Sequence, residues 1–246
     1  MRTIDVNCDM GEGMDNDAAL MPYISSANIA CGYHAGDIET MEKTVRLACQ
    51  YNVAIGAHVS FPDKQHFGRT EMDLPLASVY ELVQQQLRAL REVVTNAATS
   101  MRHVKPHGAL YNMSARDEQL ALVIAKAVYD FDPLLVLFGL SGSCSITAAS
   151  KTGLRTASEV FADRSYEEDG SLRSRSLPGA LLEDDAAVVR QVLQMIDQQT
   201  VTAITGKEIP ITAQTICIHG DGKHAVAFAK NIYDNLKIHS IEINSF

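Results

Sequence analysis

The chain has 246 residues, of which 46% are hydrophobic and 21% charged, enough apolar material to bury a sizeable core in one domain spanning 1–246. Its net charge of -9 argues against a partner with a phosphate backbone or an anionic membrane surface. No apolar run approaches the roughly 18–20 residues of a membrane span. The opening stretch MRTIDVNCDMGEG shows no basic-then-apolar signal, so a cytoplasmic location is expected. The five cysteines, Cys8, Cys31, Cys49, Cys144 and Cys217, are odd in number and form no C-x-x-C pair. They read as reduced, mostly buried thiols, with a nucleophile as the sharper alternative.

In chain order, strand and helix patterns alternate. TIDVNCD (3–9) alternates apolar and polar residues, and ANIACG (27–32) is a short apolar run. A helix over 37–52 opens on Asp37 as an N-cap. VAIGAH (53–58) is a buried strand, and 76–97 reads as a long amphipathic helix. RHVKPHG (102–108) ends a fourth strand before a helix over 116–130. LLVLFGL (134–140) is the continuous apolar strand expected when both faces are covered. A helix over 143–151 precedes LRTASEVFADR (154–164), a polar loop over 165–180 and a helix over 184–198. The segment 200–211 reads as a hairpin turning at Gly206-Lys207. QTICIHGDG (214–222) is a seventh strand, followed by a helix to about 235 and a last strand in 238–246. Seven βα units with no linker imply parallel strands with right-handed crossovers, and favour a barrel over a doubly wound open sheet.

Polar residues recur at one end of these strands. Strand one closes on Asn7, Asp9, Gly11 and Glu12; strand two on His34, Gly36 and Asp37; strand three on His58. Strand four closes on Lys105, His107 and Gly108, strand six on Glu159, Asp163 and Arg164, and the seventh on His219, Gly220 and Asp221. Strand five ends without charge. In a parallel barrel these ends meet at one mouth, where such folds place their active sites. Packing alone would not select titratable residues there, because buried charge is costly unless paired.

Asp9, His34 and His58 come from neighbouring strands and suit a divalent metal ion; the metal-free alternative is general acid–base chemistry by the same groups. Lys105 and His107 share one face of their strand. Lys105 is either a buried ion-pair partner or a group that steadies negative charge on a carbonyl oxygen. Arg69, Arg164, Arg173 and Arg175 are candidates to hold a carboxylate. GLSGS (139–143) and GDGKH (220–224) each precede a helix and offer N–H groups to an anion. The chain carries neither a P-loop nor a Rossmann glycine pattern.

NCDMGE, SANIACGYHAGD, GAHVSFPD, FGRT, VKPHGALYN, EVFADRSY and HGD together resemble the LamB/YcsF family, the A-type components of 5-oxoprolinase. The chain departs from the family pattern at Cys8, Met14-Asp15, Val59 and Thr70, while the polar positions survive. The resemblance implies an α/β, TIM-like (β/α)7 barrel of the glycoside hydrolase/deacetylase type. It implies ATP-dependent opening of the lactam of 5-oxo-L-proline to L-glutamate, with partner subunits B and C. With the strand ends it nominates Asp9, Glu12, His34, His58, Lys105, His107, Glu159 and Asp163 for catalysis. Asn28, Asp37, Arg69, Arg164, Arg175, His219 and Asp221 are nominated for substrate binding. On this reading Arg164 or Arg175 clamps the substrate carboxylate and Lys105 polarises the amide oxygen. Asp9 or Glu12, with His34 or His58, activates water, and His107 or His219 protonates the leaving nitrogen. The rival readings are a stand-alone metal-dependent amidase or deacetylase and a non-catalytic ligand-binding subunit.

Overall fold

The computed structural model describes residues 2–182, 184–218, 220 and 225–246. The elements run β1 (Arg2–Met10), α1 (Asp17–Leu20), β2 (Ser26–Ala30), α2 (Ile38–Tyr51), β3 (Ala54–Val59), α3 (Leu76–Asn96) and β4 (Met101–Pro106). Then come α4 (Gly108–Arg116), α5 (Glu118–Phe131), β5 (Val136–Leu140), α6 (Cys144–Thr152), β6 (Arg155–Phe161) and α7 (Asp185–Asp197). A two-stranded hairpin, β7 (Thr200–Thr202) with β8 (Glu208–Pro210), precedes β9 (Thr215–Ile218), α8 (Ala225–Ile238) and β10 (Ile241–Ile243).

Strands β1 to β6 pair in sequence order and parallel, β6 pairs β9, and β9 pairs back to β1. The sheet therefore closes into a seven-stranded parallel barrel with helices around it, and β10 adds to the outside of β1 along Arg2 to Ile4. Closure leaves β1 without a free edge over its barrel segment.

The alternation in β1 explains how one strand serves two environments. Ile4, Val6, Cys8 and Met10 are buried in the main apolar core between sheet and helices. Asp5, Asn7 and Asp9, on the other face, make polar contacts across the lumen. The same period sends Asn28, His58, and the pair His103 and Lys105 inward from β2, β3 and β4. Val136, Phe138 and Ala157 form a separate small apolar cluster in the lumen.

Caps fix the helix starts that aim the strand ends. Asp37 takes the N–H of Thr40 at 2.8 Å and Asp117 takes those of Gln119 and Leu120 at the start of α5. The helix expected over 116–130 is thus α5, and the sequence pattern does not display α4, which begins directly after the His107 strand end. The two helices abut at Asp117, which ends one and caps the other.

Candidate active site at the barrel mouth

β1 and β4 bring the first charges together. Lys105 Nζ is 2.9 Å from Asp9 Oδ1, 2.9 Å from Glu159 Oε1, 3.1 Å from Asn7 Oδ1 and 3.2 Å from Cys217 Sγ. Lys105 is only 2% exposed. Burial alone would lower its pKa, but the carboxylates of Asp9 and Glu159 hold it well above the usual lysine range. The same pairing acts on Asp9. Burial pushes its carboxyl up, and His58 and Lys105 outweigh this and hold it well below the usual range. Of the two roles open to Lys105, the ion-pair partner is the one this geometry displays.

Beneath the pair lies an oriented amide chain. His103 Nε2 donates to Asn28 Oδ1 at 2.8 Å, and Asn28 Nδ2 donates to Asn7 Oδ1 at 2.7 Å and to Asp9 Oδ1 at 2.8 Å. Asn7 Nδ2 donates to Glu159 Oε1 at 2.9 Å and to Thr215 at 2.7 Å. Every amide end has one orientation, so the network fixes Asp9 and Lys105 as a unit. The His103 ring stacks on Phe138 at 4.2 Å and 9°. It occupies the space where a side chain at position 56 would stand: a Cβ on Gly56 would come within 2.1 Å of it.

A second cluster sits beside the first. The loop after β1 brings Glu12 back over the mouth. It turns at Gly11, whose φ of +70° suits glycine, and the Gly11 N–H donates to Asp17 at 2.8 Å. Glu12 Oε1 is then 2.9 Å from His34 Nε2, 3.6 Å from His107 Nδ1 and 3.8 Å from His58 Nε2. The His34 and His107 rings stack at 3.9 Å, and Phe67 meets both edge-on. His34 is pushed down to about 3 by burial and then by His58, and His107 falls well below the usual range for the same reasons. For His58 burial opposes the charge, but the Asp9 carboxylate prevails and raises it.

Glu12, His34, His58 and His107 present one ligand atom each, all within 4.8 Å of one another, so these four are able to hold a metal ion. This cluster shares His34 and His58 with the expected set of Asp9, His34 and His58. Asp9 Oδ2 lies 3.3 Å from His58 Nε2, but its Oδ1 is taken by Lys105 and Asn28, and Glu12 and His107 complete the cluster instead. Glu12 reaches it through a turn, and no spacing in the sequence displays that.

A cavity of about 700 Å³ opens over both clusters, lined among others by Asp9, Glu12, His107, Tyr111, Arg164 and Arg175. Arg69 also lines it and stacks its guanidinium over Phe67 at 5.1 Å. Arg164 is braced by the carbonyls of Ala180 and Arg173, and Arg173 pairs with Glu167. Glu159 lies just below the cavity, fully buried. Five described nominees fall outside its lining: Glu159, His34 buried against Glu12, Asn28 buried in the amide chain, the exposed helix cap Asp37, and Asp163, whose carbonyl accepts from Leu182. His219, Asp221 and most of the GDGKH turn lie outside the described residues. The thiol-nucleophile reading loses support at three cysteines. Burial raises Cys8 and Cys217 well above the usual thiol range, and Cys31 to about 12, so none is a thiolate. His103, Asn7, Ser60 and Phe67 join the site without being nominated by the sequence. His103 carries a legible signal, since it precedes Lys105 and His107 at two-residue spacing.

The model of the LamB/YcsF family matches residues 4–246. This chain belongs to the LamB/YcsF family. Over 99% of its length it is 38% identical to a lactam utilization protein from Thermus thermophilus, covering 100% of that chain with a TM-score of 0.94. Two more distant structures share the fold alone. A candidate cellobiose-phosphate cleavage protein from Enterococcus faecalis has 12% identity, coverage of 99% and 97%, and a TM-score of 0.60. The T48 deacetylase has 13% identity, coverage of 98% and 87%, and a TM-score of 0.52. The fold is thus a TIM-like α/β barrel, shared with these structures. Among the described residues no helix is long and apolar enough to cross a membrane.

Proposed function

We propose that this chain is the lactam-opening A component of an ATP-dependent 5-oxoprolinase, converting 5-oxo-L-proline to L-glutamate with partner subunits B and C, which carry the ATP step. The observation that carries this reading is the juxtaposition, under one cavity, of a buried Asp9–Lys105–Glu159 ion triad and the Glu12 and histidine cluster. Membership of a family that includes a lactam utilization protein supports it.

Opening the ring adds water across the C–N bond: oxygen goes to the carbonyl carbon, the bond to nitrogen breaks, and nitrogen gains the proton. Glu12, among three imidazoles, is the group placed to take the proton from water. Asp9, held ionised by Lys105, is the fixed negative charge that orients the imidazole of His58. Of the two candidate donors to the leaving nitrogen, His107 is held neutral with its N–H on the Phe67 carbonyl, so the role falls to His219. Arg164 and Arg175 hold the substrate carboxylate, with Arg164 pre-oriented by two backbone carbonyls. A divalent ion on the histidine cluster would supply Lewis-acid chemistry when bound. That cluster also favours a second reading, a metal-dependent amidase acting without ATP.

The test is glutamate release from 5-oxoproline with ATP, measured for this chain alone and with subunits B and C added. Glutamate only in the full mixture is the expected result. Release by the chain alone without ATP overturns it in favour of the amidase. No release in either mixture removes 5-oxoproline as the substrate.

A further inference from the structure

The hydrogen-bond partners of His58 and His107 fix one N–H on each ring. His58 Nδ1 is 2.9 Å from the carbonyl oxygen of Lys105, and His107 Nε2 is 2.9 Å from that of Phe67. A carbonyl only accepts, so each of these nitrogens carries its hydrogen. The other nitrogens, His58 Nε2 and His107 Nδ1, face each other 2.9 Å apart, with room for at most one proton between them. His34 Nδ1 is 2.9 Å from the Ser60 hydroxyl, which also reaches the Phe61 carbonyl at 3.0 Å, and His34 Nε2 is 2.9 Å from Glu12 Oε1. Three imidazole nitrogens and a carboxylate oxygen thus converge, all four within 4.8 Å of one another.

Charge points the same way. Asp9, Glu12 and Glu159 bring three negative charges to one buried cluster, and Lys105 brings one positive charge. A proton shared between His58 and His107 would offset one of the two surplus charges. A dication offsets both and takes all four converging atoms as ligands. The separations suit one ion. Ligands about 2.0–2.1 Å from a tetrahedral ion lie about 3.3 Å from one another, and Glu12 Oε1 stands 2.9, 3.6 and 3.8 Å from the three nitrogens. The outer partners also match, since metal-bound imidazoles give their remaining N–H to carbonyls or similar acceptors.

We infer that Glu12, His34, His58 and His107 form a binding site for one divalent transition-metal ion. Three imidazoles with one carboxylate select an ion of the zinc, manganese or cobalt class over magnesium or calcium, which take oxygen ligands. Asp9 stands outside the coordination set, held by Lys105 and Asn28, and the Lys105 carbonyl is the outer partner of His58.

The test uses the full chain and no substrate, so its outcome is independent of the lactamase reading. Protein stripped with a chelator is reloaded with Zn²⁺, Mn²⁺, Co²⁺ or Mg²⁺, desalted, and assayed for metal by elemental analysis. The expected result is one retained zinc per chain, a melting temperature that rises with free Zn²⁺, and a ligand-field absorption spectrum with Co²⁺. Mg²⁺ should leave all three readouts unchanged. Glu12→Gln and His34→Gln should each lose at least tenfold in zinc affinity, while His66→Gln, a surface control, should retain it. Wild-type protein that stays folded and retains none of the transition ions overturns the site and leaves the shared proton as the account. Folded Glu12→Gln and His34→Gln proteins that both bind zinc as tightly as wild type overturn the ligand set. If both variants fail to fold, the wild-type metal stoichiometry and cobalt spectrum still decide.

Discussion

On the β1–β4 side the barrel lumen carries Asp5, Asn7, Asp9, Asn28, His58, His103 and Lys105, joined from β6 by Glu159; the rest of the β5–β6 side carries Val136, Phe138 and Ala157. The first set is held by directional bonds, each group oriented by the next, and the second by shape alone. His103 belongs to both, with a nitrogen on Asn28 and a face on Phe138. The difference teaches how a barrel buries charge at its mouth. The apolar plug closes part of the lumen, and the amide chain carries polarity past it without leaving the ions unpartnered. Two rules of tolerance should follow. Volume matters on the apolar side, and on the polar side the identity of each donor and acceptor matters even when volume is kept.

The sharpest way to break that comparison is Lys105→Met. It nearly preserves volume but leaves Asp9 and Glu159 buried without their cation, and should cost about 3–5 kcal/mol of stability. The midpoint of urea unfolding measures it, and a cost below about 1 kcal/mol would show that the triad is not the keystone of the polar side. Glu159→Gln keeps the oxygen that Asn7 and Lys105 use and removes the charge. It should cost about 1–3 kcal/mol in the same assay. Phe138→Leu, on the apolar side, should cost less than about 1.5 kcal/mol, because shape is roughly kept and no donor is orphaned. A larger penalty than for Lys105→Met would reverse the contrast. Outside the lumen altogether, Asp37→Ala should cost about 1 kcal/mol through the lost α2 cap, and Asp37→Asn should restore nearly all of it, as read by thermal unfolding. A failure of asparagine to rescue would mean that the Asp37 charge does more than cap.

Much of this architecture is legible from alternation. In IDVNCDM the apolar residues face helices and the polar ones face the lumen, so the strand and its chemistry come from one pattern. The seven strands and the chemical character of their ends are readable for the same reason. What is not legible is set by tertiary geometry. Glu12 enters the histidine cluster because the chain reverses at Gly11, and Asn28 leaves the cavity because His103 and Asn7 consume its amide. Helix α4 escapes notice because its N-cap residue, His107, makes no side-chain cap and no acidic residue opens its first turn, whereas Asp117 announces α5 plainly.

The contact between position 56 and the His103 ring carries a historical consequence. Because a methyl group at 56 would overlap the imidazole at 2.1 Å, alanine at 56 is forbidden while histidine stands at 103. Exchange of His103 for a smaller residue has to come first, at the cost of the bond to Asn28. The two positions are therefore epistatic. In a saturation library, viable double substitutions should fall along a path in which 103 changes before 56, and drift in this lumen has a direction.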